Sequence, residues 1–158
     1  MELTLQLLPN LSRKPDRMKT RIAKEYTWEM SHRLPFHDGP CKNLHGHSYK
    51  MVLALVGELD KNSMVLDYDE IDRIIRPLMN QLDHAFLCDK DDKLMIEFLA
   101  TNGFKYSIIP YYTTSENLVT YFLDTIKEQF QKFNNLESLS ITVFETVDAF
   151  AERTISLK

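Results

Sequence analysis

The chain has 158 residues and a formal net charge of −4, enough for one domain that buries roughly two thirds of its unfolded surface without disulfides or metal as staples. Acids and bases are interspersed and no basic block extends beyond the short stretch from Arg13 to Arg21, which argues against a nucleic-acid surface and for a small partner. Two cysteines, Cys41 and Cys88, make no disulfide framework, and the N-terminus lacks a basic n-region and is broken by Thr4, Gln6 and Pro9, so neither a signal peptide nor a membrane span is expected and the default location is cytoplasmic.

Residues 1–19 read as an extension of scattered leucines followed by a basic, Pro-containing stretch, and residues 20–158 as a single domain. From Thr20 the β-formers Ile22, Tyr26, Thr27 and Trp28 mark a first strand. Pro35, Gly39 and Pro40 punctuate a loop, and the run from His45 to Leu59 reads as a second strand whose apolar middle suits the centre of a sheet or barrel. Asp67 offers an N-cap to a helix carrying Ile71, Ile75, Leu78 and Leu82 at helical spacing and ending near Leu82 or Asp83. After Phe86 the pattern weakens, with a short helix expected over 91–99 and a short strand over 106–109.

The run Thr113-Thr114-Ser115-Glu116 satisfies the capping-box pattern, and Leu118, Phe122, Ile126, Phe130 and Phe133 mark a second long helix. Alternation from Leu139 to Thr146 predicts a strand with one buried face, and a last strand is expected over 150–157. Two hairpin-like strand pairs plus two helices make a single α+β layer.

The chemistry gathers at Cys41-Lys42-Asn43-Leu44-His45-Gly46-His47. On an extended strand side chains at i and i+2 share a face, so His45 and His47 can reach one point. His32, thirteen residues before His45, could be brought alongside by antiparallel pairing. Three neutral imidazoles with a fourth position open are the ligands of a catalytic zinc, whereas a structural zinc closes with four, and Cys41 could be that fourth ligand or a reactive thiol. Lys42 beside it is a setting that favours the thiolate, the form able to act as base or nucleophile.

Asp83 and His84 follow the first helix directly, and their side chains can converge if the helix ends there. A histidine at a helix C-terminus also complements the macrodipole, which is a structural use. Glu145, at the end of a strand beside Thr146, is either a solvated charge or, if buried, an acceptor of paired hydrogen bonds from an amidine-like group.

Together these stretches resemble the family of 6-pyruvoyltetrahydropterin and 6-carboxytetrahydropterin synthases. The resemblance is carried by Trp28-Glu29-Met30-Ser31-His32-Arg33-Leu34, by Cys41 to Tyr49, by Met64-Val65-Leu66-Asp67-Tyr68, by Leu82-Asp83-His84, by Thr114-Ser115-Glu116-Asn117 and by Phe144-Glu145-Thr146. It implies the tunnelling fold, an antiparallel sheet with two helices on one face, assembling into a barrel as trimers or hexamers with active sites between subunits. It also implies zinc on His32, His45 and His47, a proton-transfer set of Cys41, Asp83 and His84, and a pterin held by Glu145 with help from Thr146.

The implied substrate is 7,8-dihydroneopterin triphosphate. The short Cys-x-x-x-His-Gly-His spacing resembles the bacterial 6-carboxytetrahydropterin synthases of queuosine biosynthesis, implying carbon–carbon cleavage to the 6-carboxy product, acetaldehyde and triphosphate. Alternatives are a 6-pyruvoyl product, an aldolase-like cleavage of dihydroneopterin, or a non-catalytic domain with a structural Cys/His3 zinc site. Cys88 stands where an Asn is common in the family and Thr113 where a Pro is common, and the extension lies outside the match.

Overall fold

The computed structural model describes residues 18–158, so residues 1–17 of the expected extension lie outside the described residues. Six strands and three α-helices follow the order β1 (Thr20–His32), β2 (His45–Gly57), α1 (Tyr68–Leu82), β3 (Ala85–Asp89), α2 (Lys93–Thr101), β4 (Tyr106–Ile109), α3 (Ser115–Phe130), β5 (Leu136–Phe144) and β6 (Phe150–Ser156). The strands form one sheet in the order β4-β3-β1-β2-β5-β6. No helix among the described residues is long and apolar enough to cross a membrane.

The long strands are antiparallel neighbours, as their alternation predicts. β1 and β2 pair over their full lengths, from Thr20 opposite Gly57 to His32 opposite His45, and β5 lies against the other edge of β2. Of the two short strands, β4 falls where the sequence places one, over 106–109, and β3 is the addition. β3 runs parallel to both β1 and β4, so the sheet is mixed at that edge. All five residues of β3 are buried, and a short strand without polar alternation carries no period-two signal.

One face of the central strands holds the core. Tyr49, Met51, Leu53 and Leu55 alternate along β2 and pack with Ile71, Ile75 and Leu82 of α1 and with Leu118, Phe122, Ile126 and Phe130 of α3. Each such side chain is worth about 1.5–3 kcal/mol when fully removed from water, which anchors the β1–β2 pair as a rigid ruler. The two long helices therefore share a face, as expected. The short α2 does not join them: its Met95 and Leu99 form a separate small cluster with Phe86 and Cys88, the β3 residues alternate to Leu87 of the main core. Burial in that cluster pushes the Cys88 thiol up to about 11, consistent with an inert packing role.

α1 is also tied to β1 by charge. Asp72 accepts from the Tyr26 hydroxyl at 2.7 Å and pairs with Lys24 and Arg76. Although burial opposes it, these donors pull the Asp72 carboxyl down to about 2. A carboxylate depressed in the folded state contributes stability above its unfolded pKa, and that contribution fades as pH falls toward 2. Asp72→Asn should therefore cost about 1–2 kcal/mol at pH 7 and progressively less below pH 4, read from urea midpoints at each pH.

Candidate metal centre and active site

Register builds the centre. His32 stands directly across from His45, and Met30 across from His47, so the three imidazoles occupy adjacent positions at one end of the β1–β2 pair. Their ring centroids lie 4.5 Å (His32 to His45), 5.4 Å (His32 to His47) and 5.1 Å (His45 to His47) apart. One ligand atom from each falls within 4.8 Å of the other two. His32 is wholly buried, and the other two are half-buried.

The hydrogen bonds around these rings set their chemistry. His32 Nδ1 lies 2.8 Å from the Thr113 carbonyl, and His45 Nδ1 lies 2.8 Å from the Asn43 carbonyl. A carbonyl only accepts, so both Nδ1 atoms carry the proton and both Nε2 atoms, in the neutral ring, offer a lone pair. This is the arrangement found when a second partner orients a metal-bound histidine. His47 supplies the third donor: its Nε2 is buried without a hydrogen-bond partner. Burial pushes the His47 pKa down; Glu145 pulls it back, and the two neighbouring imidazoles depress it further. An orphaned imidazole nitrogen beside two others is costly unless a cation satisfies it, so the residues present fit a divalent metal ion.

Cys41 sits on a single 3-10 turn, Pro40–Lys42, and is half-buried. The loop is closed by Leu34 N–H donating to the Cys41 carbonyl at 2.8 Å. Among the described residues the converging ligand group is the three histidines alone, and Cys41 lies outside it. The neighbouring His37 is spent on its own loop, its Nδ1 accepting from Gly39 N–H.

Glu145, just past β5, reaches the centre: its Oε1 is 3.3 Å from His32 Nε2 and 3.7 Å from His47 Nε2. The contact with His32 holds its carboxyl below the usual glutamate range, against the effect of burial. Tyr49 joins them, donating to Glu145 at 3.4 Å and lying 3.3 Å from His32 Nε2. Burial, reinforced by Glu145, raises the Tyr49 phenol well above its ordinary value, so it stays a neutral donor. Sequence reasoning passed over Tyr49, although it continues the same period of two as His45 and His47. Thr146 turns back on its own hairpin, donating to Asp148 and accepting from Ala149 N–H.

Helix α1 does end at Leu82, and the side chains of Asp83 and His84 meet. Asp83 Oδ1 accepts from Glu29 N–H at 3.0 Å and lies 3.0 Å from His84 Nδ1. Those two contacts, in that order, hold the Asp83 carboxyl below its ordinary value. His84 has φ +55°, a left-handed conformation that non-glycine residues seldom adopt, and its N–H donates to the Glu29 carbonyl at 2.7 Å. Its imidazole is three-quarters exposed and lines a cleft of about 490 Å³ with Glu29, Ser31, Ser48, Phe104 and Lys105. Glu29, Ser31 and Ser48 alternate with Met30, His32 and His47, so their side chains face away from the imidazoles of the triad, while the cleft also borders on Met30 and His47. Glu29 escaped the sequence reading because it acts here through its backbone.

Comparison with known proteins decides the family. The family model described as 6-pyruvoyl tetrahydropterin synthase matches residues 21–155. The chain belongs to the 6-pyruvoyl tetrahydropterin synthase family.

Relatives in this family include a Haemophilus influenzae protein named 6-carboxy-5,6,7,8-tetrahydropterin synthase, 31% identical over 140 residues, covering 84% of this chain and 96% of its own. A protein of the same name from Aquifex aeolicus is 25% identical, covering 85% and 98%. Among solved structures, the 6-pyruvoyl tetrahydropterin synthase of Plasmodium vivax matches with a TM-score of 0.72 at 18% identity, over 88% of this chain and 99% of that one. The synthase of Caenorhabditis elegans gives 0.61 at 23% identity, over 88% and 96%. The synthase family's tunnelling fold is thus the fold of this chain.

Proposed function

We propose that the protein is a zinc-dependent lyase that converts 7,8-dihydroneopterin triphosphate to 6-carboxy-5,6,7,8-tetrahydropterin, acetaldehyde and triphosphate, in the cytoplasm and in the route to queuosine. The observation that carries this reading is the convergence of His32, His45 and His47, two of them with Nδ1 committed to carbonyls and the third with an orphaned Nε2. The names of the relatives supply the product, a 6-carboxytetrahydropterin.

Zinc on the three histidines would supply Lewis acidity that makes the side-chain hydroxyls of the substrate easier to deprotonate. The protein's own groups do the rest. Cys41, close in sequence to the triad yet outside it, accepts a proton from the substrate side chain. Asp83 holds His84 Nδ1 in a hydrogen bond, which leaves the exposed Nε2 to carry a proton to or from the substrate. Glu145, a carboxylate at the edge of the triad, accepts paired N–H groups from the aminopyrimidine edge of the pterin, with Thr146 beside it.

The Glu29, Ser31 and Ser48 side chains that line the cleft of His84 point to the face of the strand pair opposite the imidazoles of the triad. We therefore place each complete active site between subunits of a trimer or hexamer, one chain giving the metal and thiol and another giving Asp83 and His84.

Incubation with 7,8-dihydroneopterin triphosphate should release triphosphate and trapped acetaldehyde in equal amounts, with the 6-carboxy product seen by mass spectrometry. A 6-pyruvoyl product without acetaldehyde would reassign the reaction, and no consumption of the triphosphate ester would end the reading.

A further inference from the structure

We propose that Thr113 is a positioning residue for the metal centre: its carbonyl sets the tautomer of His32, and its hydroxyl locks that carbonyl onto the end of β1. The inference rests on the reading that the triad holds zinc.

His32 is the most buried member of the triad, and the acceptor for its Nδ1–H comes from 81 residues away, on the loop between β4 and α3. A loop carbonyl is an unreliable partner unless something fixes it, because connecting segments are the mobile part of a fold. Thr113 is itself fixed. It is 1% exposed, and its hydroxyl donates to the Arg33 carbonyl at 3.0 Å.

Two consecutive residues of the chain, His32 and Arg33, are thereby tied to one threonine through bonds running in opposite directions. The far side of this ring is anchored as well: the Arg33 guanidinium forks onto Asp92 with two bonds of 2.7 Å, and Asp92 also accepts from Met95 N–H at the start of α2. A capping-box reading assigns the Thr113 hydroxyl to helix α3. The structure gives the cap to Thr114, whose side chain accepts from Asn117 N–H, and leaves the Thr113 hydroxyl to serve the metal centre.

The groups behind a metal-bound histidine typically affect affinity by 10–100-fold, through ring orientation and ligand basicity. Valine at this position keeps the carbonyl and the branched shape and deletes the hydroxyl, so it isolates the lock.

The test compares Thr113→Val and Thr113→Ser with the parent protein. The readouts are zinc affinity by competition with a chromophoric chelator, the visible absorption of the Co²⁺-loaded protein, and the melting temperature without metal. Thr113→Val should bind zinc about tenfold more weakly and shift the Co²⁺ bands, while Thr113→Ser stays within about twofold of the parent. Equal affinity of Thr113→Val and parent, or equal weakening by valine and serine, overturns the lock while leaving the zinc reading intact. A parent that binds no zinc overturns both. Should Thr113→Val not fold, NMR of the zinc-loaded parent decides: a slowly exchanging Nδ1–H on His32 supports the proposal, and its absence rejects it.

Discussion

His47→Ala should empty the metal site and lower turnover of 7,8-dihydroneopterin triphosphate by about a thousandfold or more, because a bound Lewis acid supplies several kcal/mol of transition-state stabilisation and each 1.4 kcal/mol is a factor of ten. His47 is the ligand of choice for this test. His32 is fully buried and bonded to the Thr113 carbonyl, so its removal would damage the core as well as the site. His47 is only half-buried, its Nε2 has no hydrogen-bond partner, and truncating it removes an unsatisfied group rather than creating one. The expected pattern is therefore loss of bound zinc and of activity with a melting temperature close to that of the metal-free parent. A variant that keeps one zinc per chain and its turnover would sink the triad as the metal site.

Cys41→Ala gives the opposite pairing. The thiol lies outside the converging ligand group, so zinc content should stay at the parent level while kcat falls by about 10²- to 10⁴-fold, the usual contribution of a positioned acid or base. X-ray absorption on the resting protein should show nitrogen and oxygen neighbours of zinc and no sulfur. If the metal departs with the thiol, Cys41 is a ligand and its proposed role is wrong. The same variant reports on assembly. Refolded together with His84→Ala, itself expected to be nearly inactive, it should regain part of the activity, since some interfaces would then pair an intact thiol with an intact Asp83 and His84. No recovery in mixed oligomers would mean that one chain carries both.

Much of this protein is local and therefore readable. α1, α3 and β5 each show a hydrophobic period of 3.6 or of two over enough residues to be recognised, β1 and β2 are marked by β-formers and a long apolar run, and the pairing of His45 with His47 follows from the strand period alone. The cap of α1 at Asp67, accepting from Asp69 N–H, was equally legible. The failures are as instructive. β3 was missed because its five residues are all buried and its partners, β1 and β4, are parallel strands brought in by long connections. Cys41 stayed ambiguous because three residues of loop separate it from His45 in sequence, and loop geometry decides whether a thiol reaches an ion.

The sequence by itself determined the family, the α+β class and the strand that presents two imidazoles on one face, since side-chain periodicity and motif spacing are properties of a short stretch of backbone. Only the tertiary structure decided that the three imidazoles converge without Cys41, that the Asp83 and His84 side chains meet, and that Tyr49, Glu29 and Thr113 hydrogen-bond to Glu145, Asp83 and His32. Those outcomes depend on where loops cross strand ends and on which donors are left over once the sheet is paired, and a hydrogen bond spanning 81 residues leaves no mark in the pattern of either segment it joins.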